Sequence, residues 1–110
     1  MAELERIVTN TGPLIALAGV ERLDILDALY DDVLVPQPVH DEVLEGRAMS
    51  AYENANFLHI TTLAMPPDPI LGGMLDQGEA AVIQLARQEH IAQILMMSAK
   101  AARLPDKCTV

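Results

Sequence analysis

Cysteine, aromatic side chains and positive charge are all scarce in this chain. Cys108 is the single cysteine among 110 residues, so no disulfide can close within the chain. No group of Cys and His has the spacing of a zinc site, and the reducing cytoplasm is the expected setting. The aromatic residues are Tyr30, Tyr52 and Phe57, with no tryptophan. That is too few for a stacking platform that grips single-stranded nucleic acid. The core must instead be aliphatic, with methionine filling gaps. Seven basic residues face sixteen acidic ones, a formal net charge of -9, which opposes the broad attraction most nucleic-acid binders use. Contact with a nucleic acid would then require metal ions or a local basic patch. The longest apolar run, 13–20 with Gly12 and Gly19 at its edges, falls far short of the ~20 residues of a membrane span, so no membrane association is expected. The opening Met1-Ala2-Glu3-Leu4-Glu5-Arg6 has neither a basic start nor a long apolar centre, and a secretory leader is not expected.

Apolar residues make up 51% of the sequence, and its length suits one domain over 1–110 that buries roughly 65% of its unfolded surface. Ile7-Val8-Thr9 is β-branched throughout and predicts a strand over 6–9. Gly12-Pro13 then starts a helix, since proline at the first helical position gives up no needed N–H. Gly19 interrupts that helix, and Leu23, Leu26, Leu29 and Tyr30 resume helical spacing after Glu21. Val33-Leu34-Val35 reads as a short buried strand closed by Pro36, with Pro38 opening a helix that runs through Glu45 to Gly46. The stretch 49–55 has helical character and 58–63 has strand-like order, while the prolines of 64–69 predict a loop. An amphipathic helix follows over 78–89, then an apolar strand over 94–97 and a short helix over 99–104. Strands near 7, 33 and 94 separated by helices predict an α/β fold with a parallel sheet covered on both faces. Sites in such sheets gather at the carboxyl ends of strands, which selects Asn10, the Pro36 region and Ser98.

Asn10 follows the first strand and precedes a helix, so it either caps that helix, as Thr11 also could, or points into the crevice above the sheet. Glu42 lies between Val39 and Val43, beside the apolar seam of its helix, with Asp41 and Glu45 further round toward water; a solvated carboxylate is the plainer reading. Glu79 begins the stripe 79, 82, 83, 86 whose other members are Val82, Ile83 and Ala86. An acid in a first helical turn also answers the helix dipole, worth roughly 0.3 to 1 kcal/mol. Ser98 ends a strand ahead of a helix and reads as a cap; no G-x-S-x-G surrounds it. His40, His59 and His90 have no mutual metal spacing and read as surface or internally satisfied residues. Arg87, Lys100 and Arg103 form the basic group nearest the crevice, a phosphate contact or, more simply, a solvated face.

The run Ile7-Val8-Thr9-Asn10-Thr11-Gly12-Pro13-Leu14-Ile15-Ala16-Leu17 resembles the opening of PIN-domain proteins. The resemblance continues in order through Leu23-Asp24-Ile25-Leu26, Val33-Leu34-Val35-Pro36, Val39-His40-Asp41-Glu42-Val43 and Gly78-Glu79-Ala80-Ala81-Val82-Ile83-Gln84-Leu85-Ala86. The ordered set covers most of the chain and is most similar to the compact prokaryotic branch related to toxin ribonucleases of toxin-antitoxin systems. It implies a three-layer PIN-like fold, a parallel sheet flanked by helices, and a cluster of acids that hold Mg²⁺ or Mn²⁺ and activate water for phosphodiester hydrolysis. An acidic protein can cut RNA in that way.

Carried over by position, the resemblance puts the family's four acids on Asn10, Glu42, Glu79 and, where relatives have Asp-Asp, Ser98 or Ala99. Asn10, Glu42 and Glu79 are thus the implied catalytic and metal-binding residues, with Ser98 the weak candidate. Two of the four positions are not acids. A carboxylate about 4 Å from a divalent ion contributes of order 8 kcal/mol at an effective dielectric near 20, so losing two should weaken metal affinity by orders of magnitude. The expectation is a ribonuclease-like protein whose Mg²⁺ or Mn²⁺ is weakly bound or absent and whose RNA cleavage is weak or lost. On that reasoning, Asn10→Asp with Ser98→Asp should restore cleavage. Relatives also continue into a further strand and helix where this chain stops at Val110; residues 107–110 read as the beginning of that strand, in a fold shortened at its C-terminus. The sheet edge left open predicts a homodimer or other oligomer. The alternative, from a different class, is a non-catalytic interaction module that binds an antitoxin-like partner or itself.

Overall fold

The computed structural model describes residues 4–46, 50–65, 69–74 and 77–97. The chain runs β1 (Arg6–Thr9), α1 (Thr11–Gly19), α2 (Asp24–Leu29), β2 (Asp32–Pro36), α3 (Gln37–Gly46), α4 (Ser50–Glu53), β3 (Leu58–Thr61), α5 (Pro69–Met74), α6 (Gln77–Gln88) and β4 (Ile94–Leu95). The strands form one parallel sheet in the order β3-β2-β1-β4. From β1 the chain moves outward through β2 to β3, then crosses back to place β4 on the other side of β1. The reversal falls between β1 and β4, the place in open parallel sheets where ligands usually bind.

Successive side chains of a strand point to opposite faces, so an unbroken buried run means that both faces of the sheet are covered. Ile7 to Thr9 and Val33 to Pro36 are such runs. Val8, Leu14, Val35, Val39, Val82 and Leu85 are fully enclosed, which gives the aliphatic core expected from the shortage of aromatics. α3 packs against both α1 and α6, and α6 lies across β1 and β2. At the amino ends of the strands, Arg6 Nε meets Asp32 Oδ2 at 3.2 Å and Arg6 Nη2 approaches Glu89 Oε1 at 3.9 Å.

The α/β class and the parallel, doubly covered sheet agree with the sequence expectation. Differences lie at the ends of elements. The strand expected over 94–97 pairs only at Ile94 and Leu95, because β1 offers Val8 and Thr9 as partners and then turns into α1. The loop expected over 64–69 gives way to helix at Pro69, in spite of the glycines at 72 and 73. α1 ends at Gly19, where the sequence expects the break, although that glycine does not itself reverse the chain. Glu21 does so with φ 57°, while its N–H and that of Arg22 close onto the carbonyls of Ala18 and Leu17. His90 plays the same part after α6 with φ 56°, its N–H and that of Ile91 closing onto Arg87 and Ala86. The expected helix over 99–104 and strand over 107–110 lie outside the described residues. No helix among those described is long and apolar enough to cross a membrane.

Candidate functional site

The carboxyl end of β1 carries three buried polar residues in a row: Thr9, Asn10 and Thr11. Each needs a partner or leaves a cost. Thr9 Oγ1 donates to the Asn10 carbonyl at 3.2 Å. Asn10 stands at the N-cap position of α1 in an extended conformation, yet its side chain makes no capping bond. Its Nδ2 instead donates to the Met97 carbonyl at 3.0 Å, and its Oδ1 accepts the Met97 N–H at 3.2 Å. Thr11 does not cap either; its Oγ1 is buried and has no partner among the described residues. The alternative of an Asn10 or Thr11 cap is therefore not what forms.

Glu42 arises from the pattern of α3. Val39 and Val43 are buried on the core side, which leaves Glu42 exposed at the border of the helix's apolar face. There it lines a cleft of about 390 Å³ together with Pro38, Asp41, Glu45, Gln77 and Gly78. The cleft lies between α3 and the start of α6, so Asp41 and Glu45, expected further round toward water, share it. Asp41 Oδ1 accepts a bond from Gln37 Nε2 at 3.0 Å across one helical turn. Glu79 is half-buried in the first turn of α6, one residue past the cleft-lining Gly78. The structure thus brings Glu42 to the base of the helix that carries Glu79, while Asn10 is not among the residues lining that cleft. Ser98 lies outside the described residues, as do Ala99, Lys100, Arg103 and Cys108.

Two contacts escaped the sequence. One is the use of the Met97 backbone by Asn10, since a main-chain partner carries no residue-type signal. The other is the bond between His40 Nδ1 and Tyr52 Oη at 2.6 Å, beside the Tyr52 ring, which is itself buried. Burial, and secondarily the charge of Asp41, push the Tyr52 hydroxyl up to about 12. It stays protonated at neutral pH, and His40 is a satisfied residue of the core margin.

A parallel sheet covered by helices on both faces, with Asp41, Glu42 and Glu45 lining a cleft between α3 and α6, defines an α/β protein. Residues 6–106 match the PIN domain family. That match spans nearly the whole chain, and the protein belongs to the PIN-domain family. No curated protein and no solved structure matched the chain.

PIN domains generally depend on divalent metal, which makes the fit of such an ion a question for the donor set. A hard divalent cation takes several oxygen ligands, and carboxylates supply the charge. Among the described residues no three His, Cys, Asp or Glu side chains come together in a way that could hold a metal ion. The amide of Asn10, neutral to begin with, is engaged at both its oxygen and its nitrogen. The described residues do not fit a metal centre of the kind the resemblance implies.

Proposed function

We propose that this PIN domain is of the toxin-ribonuclease kind and that its RNA cleavage is weak or lost, in a cytoplasmic protein that has kept the fold. The observation that carries the reading is the engagement of Asn10. Where the resemblance expects an acid, a neutral side chain spends both of its polar groups on the Met97 backbone, and of the four positions the resemblance assigns to acids only Glu42 and Glu79 carry carboxylates. Calorimetric titration with Mg²⁺ and with Mn²⁺, run beside an assay on structured and single-stranded RNA, tests it. Binding no tighter than millimolar and cleavage at background are the expected results. Affinity in the micromolar range, with cleavage abolished by a chelator, would overturn the reading.

A second reading, a non-catalytic module that binds an antitoxin-like protein or a second copy of itself, is favoured by a different observation. Beside the edge strand β3 lies a largely apolar cleft of about 320 Å³, lined by His40, Leu44, Tyr52, Glu53, Ala55, Leu58 and Ile60. Leu44 and Ile60 are 40% and 39% exposed there, and an uncovered edge with apolar neighbours invites pairing. Sedimentation across micromolar concentrations separates self-association from a monomer, and a strictly monomeric chain excludes the homodimer.

A further inference from the structure

We infer that Asn10 is a positioning residue whose uncharged amide continues the sheet where the backbone of β1 leaves it, clasping Met97 and fixing the path of the chain after β4. This assignment holds whether or not the protein cleaves RNA.

The ladder between β1 and β4 is short. Val8 N–H bonds to the Gln93 carbonyl at 3.3 Å and Asn10 N–H to the Leu95 carbonyl at 3.1 Å. In the parallel pattern the next links would be Met97 N–H to the Asn10 carbonyl and Gly12 N–H to the Met97 carbonyl, but Asn10 is already the N-cap of α1 and Gly12 lies in its first turn. Met97 would then face the end of the sheet with its N–H and carbonyl unmatched by backbone, a cost the fold must meet. The side chain of Asn10 meets it. A carboxamide has the same donor and acceptor pair as a peptide group, and here it donates to the Met97 carbonyl at 3.0 Å and accepts the Met97 N–H at 3.2 Å. Gly12 completes the arrangement. A β-carbon there would overlap the Met97 carbonyl oxygen and lie 2.7 Å from Met97 Cγ, so only glycine lets Met97 rest against the first turn of α1.

The clasp bridges the place where strand order reverses, the crevice in which open parallel sheets usually hold ligands. It also discriminates between an amide and an acid of the same shape. A carboxylate at position 10 can still accept the Met97 N–H, but it has no proton for the Met97 carbonyl and sets an acceptor against an acceptor in a site only 5% exposed. Removing one half of such a part-buried pair lowers the ratio of folded to unfolded protein by roughly three- to tenfold.

Three measurements decide the matter. In the unmodified chain, a scalar coupling across the hydrogen bond from Asn10 Nδ2 to the Met97 carbonyl carbon, with slowed exchange of the Met97 amide proton, is the expected NMR signature. Absence of the coupling together with an unprotected Met97 amide overturns the assignment even if every variant fails to fold. By chemical denaturation, Asn10→Asp is expected to fall roughly three- to tenfold in its folding equilibrium; stability equal to or above the parent overturns the clasp. In titration with Mg²⁺ or Mn²⁺ alone, Asn10→Asp is expected to bind no more tightly than the parent chain. A tenfold or larger gain would mean that position 10 faces a metal site and not Met97.

Discussion

Glu21 and His90 hold left-handed backbone at the ends of α1 and α6, at positions where glycine is the usual occupant. For a residue with a β-carbon this conformation costs roughly 1–2 kcal/mol. Glycine relieves that cost but makes the unfolded chain more flexible, by roughly 0.5–1 kcal/mol, so each of Glu21→Gly and His90→Gly should gain about 0.5–1 kcal/mol. At ~2.1 cal/mol/K per residue the unfolding entropy of this chain is about 0.23 kcal/mol/K, and each substitution should raise Tm by about 2–4 °C. Both side chains are exposed, so little packing is lost. The turns follow different helices, and the effects should add. Differential scanning calorimetry of the glycine variants beside Glu21→Ala and His90→Ala makes the comparison clean, since alanine removes the same side chain and keeps the β-carbon. It also separates the backbone gain from the loss of one negative charge at Glu21 in a chain of net charge -9. If glycine is no more stable than alanine at either position, the left-handed turns do not carry the cost assigned to them.

Thr11 and Tyr52 give two further tests. The unpartnered, buried hydroxyl of Thr11 should cost about 1–3 kcal/mol, so Thr11→Val, which keeps the shape, is expected to leave Tm unchanged or raise it by a few degrees; a clear fall would mean that the hydroxyl is bonded in solution. The Tyr52 hydroxyl, pushed up to about 12 from an ordinary value near 10, holds its proton more tightly folded than unfolded. Its contribution is therefore complete below pH ~10 and is lost as pH rises toward 12. Tyr52→Phe should lose about 1 kcal/mol at neutral pH with the bond to His40, and should show a shallower decline in alkali than the parent. Parallel decline curves for the two chains would refute the assignment.

Elements defined by their own side chains were legible in the sequence. The β-branched run of β1, the buried Val33-Leu34-Val35 of β2 and the apolar stripe of α6 each state their structure locally. What needed a partner was not legible. The length of β4 is set by how far β1 runs beside it, not by its own apolar residues. The helix α5 was hidden by Gly72 and Gly73, although Pro69 suits a first helical position. The break after α1 was legible at Gly19, whereas the left-handed reversal falls two residues on, at Glu21, with no glycine to announce it. At the site, Glu42 was legible from its position between Val39 and Val43, but the joining of Asp41 and Glu45 to its cleft depends on where α6 begins, which no local pattern records.

Asn10 carries the same lesson with more force, because sequence position and hydrogen bonding assign it different work. By the resemblance it stands where an acid is expected, and on that reasoning an acid put back should rebuild the site. By hydrogen bonding it replaces a peptide group, supplying a donor that no carboxylate has. The two readings make different demands on the same side chain: a metal-binding acid supplies two oxygens and a charge, whereas the clasp uses one of the two lone pairs of Oδ1 for the Met97 N–H and needs a proton on Nδ2 for its carbonyl. If the clasp holds, an acid at position 10 is expected to give up the bond to the Met97 carbonyl before it can serve a metal. Gly12 ties the chain after β4 down from a second side, since Met97 rests on the space where its β-carbon would be. Any rebuilt acidic site in this fold has to begin with Met97, and only then with the residue that holds it.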